Sequence, residues 1–215
     1  MDLKISKDIV DVCKMLNAKN MLASADGNVS YRFSDDQIII TPTGVNKAFL
    51  RPFDMAVIDM NNRVLQGKPS GERLIHLEIY KRCPEAKCVV HAHPPNAIAW
   101  SVAFPQAREL PCESLSEVIL AVGRIPIAEY ARPGTQDMAD KLIQFLPAHR
   151  VIVMARHGAV SWGESVGEAY NGMERLEHSA AILGMAHRLG GLTSLPAGEI
   201  EQLRELRKKL GPRTL

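Results

Sequence analysis

The strongest constraint on this fold is punctuation: short apolar runs are cut by turn residues before they can lengthen, and the cuts come in pairs. Val29-Ser30-Tyr31-Arg32-Phe33 is strand-like, Ser34-Asp35-Asp36 turns, and Gln37 to Thr41 returns as a hairpin. Pro42-Thr43-Gly44 breaks that return sharply. Met55 to Met60 and Val64-Leu65, split by Asn61-Asn62, repeat the pattern. Cys88 to His93 reads as a strand closed by Pro94-Pro95, and Ile125 to Tyr130 is strand-like. Val151 to Met154 is a buried strand that returns as Ala159 to Trp162 after His157-Gly158.

Helical periodicity occupies the intervals. Ser6 is placed to cap a first helix whose stripe is Ile9, Val12, Cys13 and Leu16. A second helix begins near Ser70 and stops at Pro84, and a third follows Pro94-Pro95 through Trp100. Pro133-Gly134-Thr135 opens another toward Phe145. Ser165 and Glu168 form a capping box for an Ala-rich helix ended by Gly190-Gly191. A last short helix follows Pro196 and Gly198. Paired strands with helices before and after predict an α+β domain on a mostly antiparallel sheet. With no repeat, low-complexity tract or long linker, residues 1–215 read as one domain.

Composition narrows the function classes. A 46% apolar, 23% charged chain of net charge +2 is that of an ordinary globular protein. With aromatics at 5%, a basic, ring-studded face for nucleic acid is not expected. Arg204, Arg207, Lys208, Lys209 and Arg213 interleave with Glu201 and Glu205 and read as a solvated helix face. Cys13, Cys83, Cys88 and Cys112 match no zinc ribbon or redox pair, so reduced thiols in a cytoplasmic protein are expected. No signal-like segment is read at the start, and the uncharged stretch from Cys88 to Ala107 is too polar and too Pro-broken for a membrane span.

The chemistry lies in four residues. Residues two apart on a strand face one side, so His91-Ala92-His93 aims two imidazoles into one space, about 7 Å apart along the backbone. Alone, such a pair equally describes two unrelated strand histidines. His157 ends another apolar strand, and Gly158 permits close backbone approach. Glu72 lies at a helix start in Pro69-Ser70-Gly71-Glu72. Three histidines and one carboxylate make a divalent-metal set with an exchangeable position, the design of a catalytic site rather than a closed structural one. His76, one turn beyond Glu72, reads as a packing or supporting residue. Gly27-Asn28-Val29-Ser30, Thr41-Pro42-Thr43-Gly44 and Ser70-Gly71 are small-residue turns; each is ordinary alone, and together they are able to cradle a phosphate with N–H groups and hydroxyls.

These motifs, with Arg156-His157-Gly158 and Tyr130-Ala131-Arg132-Pro133-Gly134-Thr135, stand in the order found in the class II aldolase/adducin family. From the first helix through Leu189 the chain resembles that family, nearest to its L-fuculose-1-phosphate aldolase branch. The resemblance implies a three-layer α/β/α sandwich around a central, mostly antiparallel sheet, assembled as a cytoplasmic homotetramer with no nucleic-acid or membrane partner. It implies Zn2+, with Mn2+ or Co2+ as alternatives, held by His91, His93 and His157. Glu72 maps onto the acid/base that also reaches the metal at rest. Asn28, Thr43, Gly44, Ser70 and Gly71 map onto the phosphate-binding turns. The implied reaction cleaves a ketose 1-phosphate to dihydroxyacetone phosphate and an aldehyde through an enediolate. Sugar-phosphate 4-epimerases, methylthioribulose-1-phosphate dehydratases and decarboxylases share the scaffold, as does a metal-free adducin-like module. The chain departs from the branch at Gly71, where a second serine is usual, and at Leu115, where the branch has a tyrosine; Ser114, Ser116 and Glu117 are nearby substitutes.

Overall fold

The computed structural model describes residues 3–214. The paired runs become strands β1 (Asn28–Arg32), β2 (Gln37–Ile40), β3 (Ala56–Asp59) and β4 (Val64–Gln66), followed by β5 (Cys88–Ala92), β6 (Ile127–Ala128), β7 (Val151–Met154) and β8 (Gly158–Gly163). They form one sheet in the order β4-β3-β2-β1-β5-β8-β7-β6. Neighbours are antiparallel except β6 and β7, which are parallel.

Strict alternation along the strands buries both faces. On one face Ile39, Val90, Val151 and Val153 join Ile9, Cys13 and Leu16 of α1 (Leu3–Ala18), Trp100 of α3 (Pro95–Ala103) and Met173 and Leu176 of α6 (Val166–Leu189). On the other, Ile38, Val89, Ile152 and Val160 meet Ile75, Ile79 and Tyr80 of α2 (Arg73–Arg82) and Met138 of α5 (Gln136–Asp140). Helices therefore cover both faces, giving the α/β/α sandwich implied by the family resemblance rather than helices segregated to one side.

Several local expectations change. Ser6 does not cap the first helix: α1 already runs at Leu3, and Ser6 is buried within it. Helix α2 starts at Arg73 rather than Ser70, because Ser70 donates its N–H to Thr41 O and accepts the Glu72 N–H on its hydroxyl, holding a turn. The predicted strand at 125–130 shrinks to β6, and the helix toward Phe145 stops at Asp140. Ser165 caps α6 by accepting the Glu168 N–H, but the reciprocal half of the box is absent: the Glu168 carboxylate is taken by Arg150, Glu164 N–H and Thr214 N–H. The basic C-terminal run is only partly a solvated face. In α7 (Ala197–Leu210), Arg207 donates to the Leu120 and Ala121 carbonyls at the end of α4 (Ser116–Ala121), while Ile200 and Leu203 pack on Ile119. All four cysteines are free and buried. Among the described residues no helix is long and apolar enough to cross a membrane.

Candidate active site

Strand parity builds the site. Val89 faces the α2 layer, so His91 does too, and His93 follows just past the strand end. Asn28 on β1 is the register partner of His91 and shares that face. His157 comes from the β7–β8 turn, where Arg156 holds a left-handed φ of 62° and donates its N–H to Ser101 Oγ at 2.9 Å. Gly158 is required by crowding: a Cβ there would lie 2.9 Å from both the His91 and His93 rings and 2.6 Å from Ala92 O. Glu72 enters from the start of α2.

The four groups converge. Glu72 Oε2 stands 3.1 Å from His91 Nε2, and Glu72 Oε1 stands 3.1 Å from His157 Nε2. His93 Nε2 is 3.3 Å from His91 Nε2, and the ligand atoms of all four residues lie within 4.8 Å of one another. Bonds of about 2.0–2.1 Å to a tetrahedral ion separate adjacent ligand atoms by about 3.3–3.4 Å, so this packing suits a divalent cation. The outer contacts agree. His91 Nδ1 lies 2.9 Å from Ala159 O, which assigns the proton to Nδ1 and leaves the Nε2 lone pair pointing inward. His157 Nε2 is buried and meets no hydrogen-bond geometry, although the Glu72 oxygen is beside it. His93 Nδ1 has Asp26 Oδ2 at 3.5 Å behind it.

Electrostatics match a cation site. Burial raises the Glu72 carboxyl, and positive charge at His157 and His91 pulls it well below the usual carboxylate range, a pull that a cation held among neutral rings would exert in their place. Burial, reinforced by His91 and His157, lowers His93 to about 4. An ionised carboxylate beside a neutral imidazole is the protonation state that metal ligation requires.

The three turns are stitched together around this cluster. Val29 and Thr41 bond to each other twice, through Thr41 N–H to Val29 O and Val29 N–H to Thr41 Oγ1. Thr43 N–H donates to Lys68 O at 3.0 Å and Ser70 N–H to Thr41 O at 3.2 Å, so two N–H groups expected to be free are already used. Lys47 was not anticipated. Its ammonium is buried and donates to Ala25 O and Val45 O, each at 2.8 Å, tying the Gly27 turn to the Gly44 turn. The sequence signal was a lysine three positions past Gly44. Asn28 joins the turns to the cluster: its Nδ2 donates to Glu72 Oε2 at 3.1 Å. Leu115 is partly buried and, with Ser116 and Glu117, borders a cleft shared with Arg175 and His178 of α6, a lining with none of the four converging residues.

Comparison with known proteins places this geometry in a family. The class II aldolase and adducin N-terminal domain matches residues 7–183. The chain is 34% identical to 3-oxo-tetronate 4-phosphate decarboxylase of Escherichia coli K12, covering 83% of this chain and 84% of that one. It is 32% identical to L-fuculose phosphate aldolase of Methanococcus vannielii, covering 85% and 95%. The solved structure of YgbL from Escherichia coli superposes with a TM-score of 0.87 at 28% identity, covering 94% and 98%. Matched by the family model over residues 7–183 and more than 30% identical to these two relatives over most of its length, the chain belongs to the class II aldolase and adducin N-terminal domain family.

Proposed function

We propose that this protein is a metal-dependent class II aldolase that cleaves a ketose 1-phosphate to dihydroxyacetone phosphate and an aldehyde. The observation that carries this reading is the spacing of Glu72 and three imidazoles at the edges expected of one tetrahedral ion. His91, His93 and His157 would hold Zn2+, with Mn2+ or Co2+ as chemically suited alternatives. When bound, such an ion supplies Lewis-acid polarisation of the substrate carbonyl.

The remaining work falls to the chain. Cleaving the C–C bond beside a carbonyl leaves its electron pair on the dihydroxyacetone half as an enediolate, which must then gain a proton on carbon. Glu72, in the cluster and ionised at rest, would take up a proton from water and deliver it to that carbon, and acid/base help of this kind contributes about 10²–10⁴-fold. Asn28, Thr43, Gly44, Ser70 and Gly71 would grip the phosphate, with the Gly44 and Gly71 N–H groups and two hydroxyls among the donors, and so fix which oxygens meet the metal. Family resemblance further suggests a homotetramer in the cytoplasm, which sedimentation of the purified chain would test.

One observation favours a second reading, decarboxylation of a phosphorylated 3-oxo acid. Retro-aldol cleavage needs a group to take the proton from the departing hydroxyl, and Leu115 stands where the aldolase branch has a tyrosine. Loss of CO2 leaves the same enediolate without that requirement, and the E. coli relative carries that activity in its name. Elemental analysis followed by a panel of ketose 1-phosphates and 3-oxo acid phosphates tests both. Release of an aldehyde with dihydroxyacetone phosphate from a ketose 1-phosphate supports the aldolase, CO2 release from a 3-oxo acid phosphate the decarboxylase, and a metal-free inactive protein removes both.

A further inference from the structure

Among the described residues Lys47 is the only buried lysine, at 1% exposure. Local structure puts it there. Asn46 caps a single 3-10 turn by accepting the Ala48 N–H at 2.9 Å, and that turn carries Lys47 and Leu50 inward while Phe49 stays 78% exposed. The ammonium ends against two carbonyls, Ala25 O and Val45 O, each at 2.8 Å. These bonds use two of its three protons. Among the described residues no carboxylate pairs with it.

Bracing alone does not account for the charge. Any buried N–H donor ties two carbonyls, and an amide is far less costly to enclose than an ion. An ammonium enclosed without a counter-ion is among the most unfavourable groups a fold can hold. Burial lowers Lys47 below the ordinary lysine range, and the fields of Asp26 and Glu72 oppose this without reversing it. Asp26 stands beside His93, and Glu72 lies within the imidazole cluster.

Position supplies the missing anion. Ala25 leads into the Gly27-Asn28 turn and Val45 follows Gly44, so the ammonium braces two of the three turns proposed above to grip phosphate. The third, Ser70-Gly71, is bonded to the second through Ser70 N–H and Thr41 O. None of the three contains a lysine or arginine. Arg73, just past the third, is engaged with Asn62 Oδ1 and Ser70 O. A phosphate held there by neutral donors alone would face the Glu72 carboxylate with nothing to balance it. In an enclosed setting, a unit charge several ångströms away acts strongly on such an anion.

We propose that Lys47 supplies the positive charge of the phosphate cradle and so selects a phosphomonoester over its unphosphorylated counterpart. It is a positioning residue: it acts through the turns it braces and touches none of the reacting atoms. The proposal rests on the phosphate reading of those turns given above.

Lys47→Gln tests it, because glutamine keeps a donor for the carbonyls and removes the charge. With inorganic phosphate as the probe in calorimetric titration of the metal-loaded protein, affinity should fall about 10–100-fold. Loss of an unpaired buried ion should leave the melting temperature unchanged or higher. Phosphate affinity within about twofold of the unaltered protein overturns the proposal, as does a lower melting temperature that Lys47→Arg shares along with the lost affinity. Should Lys47→Gln not fold, the ¹⁵N ammonium signal of Lys47 in the unaltered protein decides: it should shift on saturation with phosphate, and an unmoved signal overturns the proposal. In turnover, KM for whichever sugar phosphate is consumed should rise by the same factor as phosphate affinity falls, with kcat little changed. A fall in kcat with phosphate affinity intact assigns the charge to Glu72 instead and overturns the proposal. If no sugar phosphate is consumed, the proposed function fails while the phosphate titration still decides the role of Lys47.

Discussion

Two buried polar clusters sit at opposite ends of β8, about 17 Å apart along the strand. Beyond its far end Arg150 donates to Glu168 at 2.6 Å and to Glu164 at 3.0 Å, and lies 4.5 Å over the Trp162 ring. Glu168 also accepts the N–H groups of Glu164 and Thr214, at 2.8 and 3.0 Å, so the C-terminal tail is pinned there. Every charge in that cluster meets its opposite. Before the near end, the carboxylate of Glu72 and three imidazoles converge, their ligand atoms all within 4.8 Å of one another. A polar cluster that serves the fold closes on itself, whereas one that serves a ligand keeps lone pairs aimed at common space.

Alterations at the two ends should therefore fail in different ways. His93→Ala is expected to lose bound metal and turnover together, to background, with the fold retained; full metal stoichiometry by elemental analysis would remove His93 from the ligand set. Glu72→Gln should keep the metal and lose at least about 100-fold in turnover. Near-normal kcat in that variant would end its role in proton transfer. At the far end, Arg150→Met leaves Glu168 buried without its partner, which costs about 3–5 kcal/mol of stability. The melting temperature should drop by roughly 10 °C with metal content unchanged. Metal loss in that variant would erase the distinction between the two ends.

The mildest effect concerns acid. His76 is held near 3 in the fold by burial, against 6.5 in the open chain. Its neutral form thus favours folding fully above pH 6.5, and this contribution declines as pH falls toward 3, by about 1.4 kcal/mol per unit. His76→Gln should flatten the stability profile between pH 6.5 and 5 in urea titrations; an unchanged slope would mean the ring is already protonated in the fold.

How much of this was legible in the chain depends on the range of the information. His91 and His93 announce themselves because strand parity is local, and His157 and Glu72 because glycine and turn residues mark where elements end. The layers were harder: helices on both faces follow from Val89 and Val90 pointing opposite ways, which no count of elements reveals. Partners were hardest. Nothing near Asn28 in the sequence says that its amide meets Glu72 and His76, since both contacts depend on how α2 crosses β1. Glu168 offers the pattern of a capping box, yet a buried guanidinium 18 positions earlier competes for its carboxylate and wins. Ser6 has a capping side chain, but α1 already runs from Leu3 and Ser6 is buried inside it.

The four free cysteines have a practical consequence. Cys13, Cys83 and Cys88 are fully enclosed and Cys112 nearly so; burial, the leading cause, lifts Cys13, Cys83 and Cys112 to about 12 and Cys88 higher still. A thiol so protonated and shielded is inert to alkylating reagents until its surroundings open. The molecule thus carries built-in clocks: Cys13 sits on the buried face of α1, Cys83 at the end of α2, Cys88 within the sheet and Cys112 before α4. The order in which reagent marks them would read out which layer lets go first.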